Sequence, residues 1–133
     1  MIQEVYVSFE IAKLLREKGF PQDPKICNTA YTTKGKFSNN AKSFVFYYES
    51  IKPRVCYIAP TQQMAMQWLR EKYNIYISIQ PDFPSNKDYK MCWCWSANIL
   101  HENCIITKGH QCYVETYEEA VESAIKYCLE NLV

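Results

Sequence analysis

Glycine is nearly missing from this chain of 133 residues: three occur, at positions 19, 35 and 109. A loop that cradles phosphate needs several glycines close together, so nucleotide sites of that kind are excluded. Histidine is scarcer still, with only His101 and His110, which leaves few general bases and few imidazole metal ligands. Net charge is small, at +1, and a chain so close to neutral exerts little long-range pull on a polyanion. No run approaches the ~18 consecutive apolar residues of a membrane-spanning helix. The opening "MIQEVYVSFEIAKLLREKGF" lacks the basic start and apolar run of a secretory leader, so a cytoplasmic protein is expected.

The residues present describe an ordinary globular chain with unusual aromatic content. Hydrophobic residues make up 48% and charged residues 22%, a balance that supports a packed core. Aromatics reach 15%, with eleven tyrosines, enough to supply exposed recognition surface as well as core. The length fits one domain, 1–133, able to fold without a metal or disulfide. Seven cysteines (Cys27, Cys56, Cys92, Cys94, Cys104, Cys112, Cys128) are an odd set, and in a reducing compartment they are expected as thiols.

Helix signals are sharp. In "VSFEIAKLLREKGFP", Ser8 caps the start and Gly19 suits the left-handed stop, with Phe20 folding back on Leu15. "PTQQMAMQWLREKYN" (60–74) predicts a helix with Thr61 as cap and Asn74 as stop. In "TYEEAVESAIKYCLENLV" (116–133), Thr116 and Glu119 form a capping box, and Ala120, Val121, Ala124, Ile125 and Cys128 share one face. Strands are predicted at "FVFYYE" (44–49), "VCYIA" (55–59), "IYISI" (75–79), "YKMCWCWSANI" (89–99) and "QCYVE" (111–115). The first two read as a hairpin turning at 52–54. Residues 81–88 and 100–110 read as loop or irregular, and 31–43 as a mobile loop or hairpin tip. The expected fold is α+β, one domain with an antiparallel or mixed sheet of four to five strands. About three helices pack mainly on one face, in the order α-ββ-α-β-β-β-α. The core should include Leu14, Leu15, Phe46, Ala65, Trp68, Leu69, Ile77, Ala124, Ile125 and Cys128.

Candidate chemistry is sparse. "KMCWCWSANILHENC" (90–104), with His110 and Cys112 after it, is the densest stretch of ligand-type side chains. Cys92, Cys94, Cys104, His110 and Cys112 are the residues from which a zinc site would have to be drawn. Cys92 and Cys94 are spaced C-x-C on a strand, not in the turn that usually converges ligands. Cysteine as a small buried apolar residue is the simpler account, so no metal ligands and no cofactor are assigned. Neither histidine is marked as the base of a cysteine nucleophile. Glu118 and Glu119 suit a helix N-terminus, and Asp82 and Asp88 suit turns, so no catalytic residues are assigned. Residues 1–54 carry nine Lys/Arg against five Asp/Glu, and three of those lysines lie in 31–43. Lys34, Lys36 and Lys42 with Phe37 are therefore the candidate nucleic-acid contact.

Period two sorts the strands into faces. Ile75, Ile77 and Ile79 are placed under the helices, with Cys92 and Cys94, whose small size allows close approach. Tyr47, Tyr76, Trp93 and Trp95 then share the outer face. Tyrosine and tryptophan are favoured at interfaces, so this patch is expected to be covered by a protein partner or a second copy of the chain.

Three segments, "YVSFEIAKLLREKGF", "APTQQMAMQWLREKYNIYISI" and "TYEEAVESAIKYCLENLV", resemble an uncharacterised family of short proteins encoded by gut anaerobes and their phages and prophages. The resemblance covers most of the chain outside 28–43 and 81–110. It implies a cytoplasmic protein of a mobile element or its host and transfers no catalytic residues. The function expected is a non-enzymatic accessory protein that binds another protein, with weak nucleic-acid binding through 31–43 as the alternative.

Overall fold

A computed structural model describes residues 3–42, 56–83 and 90–133. The chain divides into two compact units, Met1–Gln63 and Met64–Val133. The first contains α1 (Phe9–Glu17), β1 (Ala30–Tyr31), β2 (Phe37–Ser38) and β3 (Tyr57–Ile58). The second contains β4 (Ile75–Asp82), β5 (Cys92–His101), β6 (Cys104–Val114) and α3 (Tyr117–Asn131). The boundary between the units falls in the first turn of α2 (Gln62–Tyr73).

In the first unit, the ends of α1 follow from its sequence. Ser8 Oγ accepts the Ile11 N–H at 3.3 Å, satisfying one donor that the first turn leaves free. Gly19 adopts φ 97°, and the Phe20 N–H then donates to the Leu15 carbonyl at 2.8 Å. Leu15 and Phe20 are both buried, as this end geometry favours. The sheet is antiparallel, in the order β2-β1-β3. Among the described strands β3 is an edge, and one of its donors is met by a side chain: Gln22 Oε1 accepts the Ile58 N–H at 3.0 Å. The lysine segment is a hairpin, its turn closed by Thr32 N–H to Lys36 O at 2.9 Å.

The second unit carries the longer strands. Asn74, at φ 55°, ends α2, and β4 starts at the next residue. β4 pairs with β5 and β5 with β6, all antiparallel. The turn between β5 and β6 is two residues, Glu102 and Asn103, at φ 47° and 64°. Two left-handed residues match the twist of a tight hairpin. Residues 100–110, read from sequence as irregular, are therefore the continuous hairpin of β5 and β6. Thr116 Oγ1 accepts the Glu119 N–H at 3.1 Å and starts α3. This helix lies against all three strands.

The single sheet of four to five strands is corrected, among the described residues, to two antiparallel sheets of three. Among the described residues, the strands of the first are two residues long and pair with one another. The expected strand 44–49 and turn 52–54 lie outside the described residues. Of the expected core, Leu15, Ala65, Leu69, Ala124, Ile125 and Cys128 are buried. Leu14, Trp68 and Ile77 are half-buried, and Phe46 is outside the described residues.

The faces of β5 are reversed from the expected ones. Ile77 pairs with Ala97 and Ile79 with Trp95, so the tryptophans share the isoleucine face. That face meets α3: Trp93 lies 5.3 Å from Tyr117 and Trp95 5.5 Å from Tyr127, between ring centroids. An aromatic ring withdraws far more apolar surface from water than a thiol does, which favours the tryptophans under the helix. Trp95 is 5% exposed, and its indole N–H is satisfied by Gln111 Oε1 at 2.9 Å. Tyr127 reaches across to donate its hydroxyl to the Lys108 carbonyl at 2.7 Å. Its ring then lies so close to Gly109 that a Cβ there would overlap it.

Gly109→Ala should therefore destabilise the protein by about 1–3 kcal/mol, the usual cost of overpacking. In a Tyr127→Ala background the same change should cost less than about 0.5 kcal/mol, because the obstructing ring is gone. Urea unfolding of the four proteins in this cycle measures both values. Equal penalties in the two backgrounds would contradict the packing described.

Candidate functional site

With α3 on the tryptophan face, the opposite face of β4-β5-β6 carries a concavity of 540 Å³. Tyr76 and Ser78 of β4, Ser96 and Leu100 of β5, and Ile105 and His110 of β6 are among the residues that line it. Its apolar rim is exposed, with Tyr76 at 40%, Leu100 at 42% and Ile105 at 73%. No lysine or arginine lines it among the described residues.

A polar network spans the floor of this face. Asn98 donates to the Tyr76 carbonyl at 3.1 Å and to Ser96 Oγ at 3.1 Å. Its Oδ1 accepts from the Thr107 hydroxyl at 2.8 Å. One side chain thus ties β4, β5 and β6 together. Asn98 is buried, and satisfying it in this way avoids the cost of an unpaired polar group.

At the far end of the face from the β5–β6 turn, Asp82, Cys94 and Cys112 converge. One carboxylate oxygen and two sulfurs lie within 4.8 Å of one another. Cys94 Sγ donates to Asp82 Oδ2 at 3.7 Å. Register makes the meeting possible. Asp82 ends β4 opposite Cys92, Gln80 lies opposite Cys94, and a β6 irregularity sits beside Trp93 and Trp95. Tyr113 takes φ 63° there, and such an extra residue re-aims its neighbours. Burial, then the hydrogen bond and charge of Cys112 and the charge of Asp82, push the Cys94 thiol up to about 12. Cys128, on the buried side of α3, is likewise pushed up to about 12, by burial.

The residues singled out from sequence are dispersed. Tyr76 is on the open face, Trp93 and Trp95 are on the helix-covered face, and Tyr47 lies outside the described residues. The four-aromatic patch is thus corrected, because register separates Tyr76 from the two tryptophans. Lys34, Lys36, Phe37 and Lys42 are all exposed, the first three on the β1–β2 hairpin. Phe37 stacks edgewise on Tyr31 at 5.4 Å and tilts against Tyr6 at 5.3 Å. Cys104 pairs with His101 at the hairpin tip, remote in register from Cys94. Cys92 is buried, with Sγ 3.8 Å from the Asp82 carbonyl. His110 pairs with Ser96 and lines the concavity. Asp82, read as a turn residue, is instead the last residue of a strand. No local signal marks it, because its partners come from two other strands. No family model, curated protein or solved structure matches the chain. Among the described residues, no helix is long and apolar enough to cross a membrane.

Proposed function

We propose that the protein is a non-enzymatic binding module that holds an extended segment of another protein chain along the open face of β4-β5-β6. The supporting observation is the concavity itself, apolar at its rim with a polar floor. Concave, largely apolar surfaces with a few placed polar groups are the usual form of a binding site. The absence of lysine and arginine from the described lining disfavours a phosphate backbone there. The resemblance of residues 6–20, 59–79 and 116–133 to short proteins of gut anaerobes and their phages supports an accessory role in a mobile element or its host. Selection of a random-peptide display library against the immobilised chain tests the module. Enriched peptides should be rich in apolar residues. They should lose binding to Ser78→Arg, which fills the concavity, and to Ile105→Asp, which removes the rim. No enrichment, or binding unchanged by both substitutions, would contradict the proposal.

The second reading, nucleic-acid binding through the lysine hairpin, has its own support. Phe37, Tyr31 and Tyr57 form a cross-strand aromatic row beside a turn that carries Lys34 and Lys36. Bases stack on such rows, and nearby cations neutralise phosphate. Single-stranded nucleic acid titrated at two salt concentrations should then bind more weakly at the higher salt, and Lys34→Ala, Lys36→Ala should reduce the salt slope. Absence of salt-sensitive binding at micromolar protein removes this reading.

A further inference from the structure

The geometry points to a thiolate metal site on the open sheet face, in which Cys94, Cys112 and Asp82 bind one zinc-type divalent cation. The inference goes beyond peptide binding and stands independently of it. Two sulfurs and one carboxylate oxygen, contributed by three adjacent strands, lie within 4.8 Å of one another. In a tetrahedral zinc site, bonds of ~2.3 Å to sulfur and ~2.0 Å to oxygen hold neighbouring ligand atoms roughly 3.5–3.8 Å apart. Cys94 Sγ and Asp82 Oδ2 are already 3.7 Å apart. Small side-chain adjustments therefore close the set around an ion.

The ligand types select the metal. Two thiolates favour a soft or borderline cation such as zinc over magnesium or calcium, which prefer all-oxygen shells. Three protein ligands leave a fourth position, and two of them, Cys94 and Cys112, line the same concavity as His110. Water or a donor from a bound peptide would complete a four-coordinate zinc there. When the metal binds, two metal–sulfur bonds form and the two thiol protons leave to solvent, with no change of oxidation state. The scaffold suits the role: strands hold ligands more precisely than loops do, and Asn98 ties these three strands together.

Cobalt titration of the full chain, reduced and kept anaerobic, tests the site. One cobalt per chain should bind with a sulfur-to-cobalt charge-transfer absorption, and one equivalent of zinc should displace it. Cys112→Ser, at an exposed position, should leave the fold intact by circular dichroism. It should roughly halve the charge-transfer intensity per bound cobalt. It should also weaken binding by more than the ~10–100-fold that changes outside the ligand shell typically cost. Asp82→Asn should weaken binding while both thiolate contributions remain. Cys104→Ser, at the exposed hairpin tip, should change neither. Absence of the charge-transfer band overturns the site. So does a band unchanged in Cys112→Ser, a band lost in Cys104→Ser, or one cobalt shared by two chains.

Discussion

The packing of Trp95 beneath α3 sets the arrangement of the second unit. Its ring rests against Tyr127, its indole N–H is met by Gln111, and Tyr127 is seated over Gly109. The contact spans β5, β6 and the helix. Because side chains alternate along a strand, placing Trp95 under the helix also places Cys94, Ser96 and Asn98 on the opposite side. The open face is thus a consequence of the covered one. The reverse arrangement would bury small thiols under α3 and expose two tryptophans, losing several kcal/mol of apolar burial at ~25 cal/mol per Å².

What the open face can do follows from which residues the alternation leaves there. Most are neutral and small, and apolar residues gather at the turn end. The acidic and thiol groups gather at the other end, where the bulge at Tyr113 brings β6 close to Asp82. A neutral groove with an apolar rim suits an uncharged, extended chain better than a polyanion. A cluster of thiol and carboxyl groups beside that groove suits a cation. The two features share a floor held by Asn98, and they make separable demands on the chain.

Local signals were legible in the sequence, and long-range ones were not. Ser8, Gly19, Asn74 and Thr116 act within a few residues of themselves, and each ends or starts a helix as its chemistry predicts. The strand at 75–79 was legible from its alternation and runs on to Asp82. The alternation of β5 was equally clear, but period two does not say which face is inside. That choice depends on Tyr117 and Tyr127, more than twenty residues away in sequence. The hairpin at 101–104 was obscured because Glu102 and Asn103, rather than glycine, occupy its left-handed positions. Asp82 was hidden for a similar reason: its role appears only once β4, β5 and β6 are in register.

The orientation of β5 is the claim on which the groove and the metal cluster both stand. Nuclear Overhauser contacts between side-chain protons in the full chain test it most directly. The indole protons of Trp95 should show contacts to the Tyr127 ring, and those of Trp93 to the Tyr117 ring. The Cβ protons of Cys94 should instead contact those of Cys112. Contacts from Cys94 to the Tyr127 ring, with none from Trp95, would contradict the account.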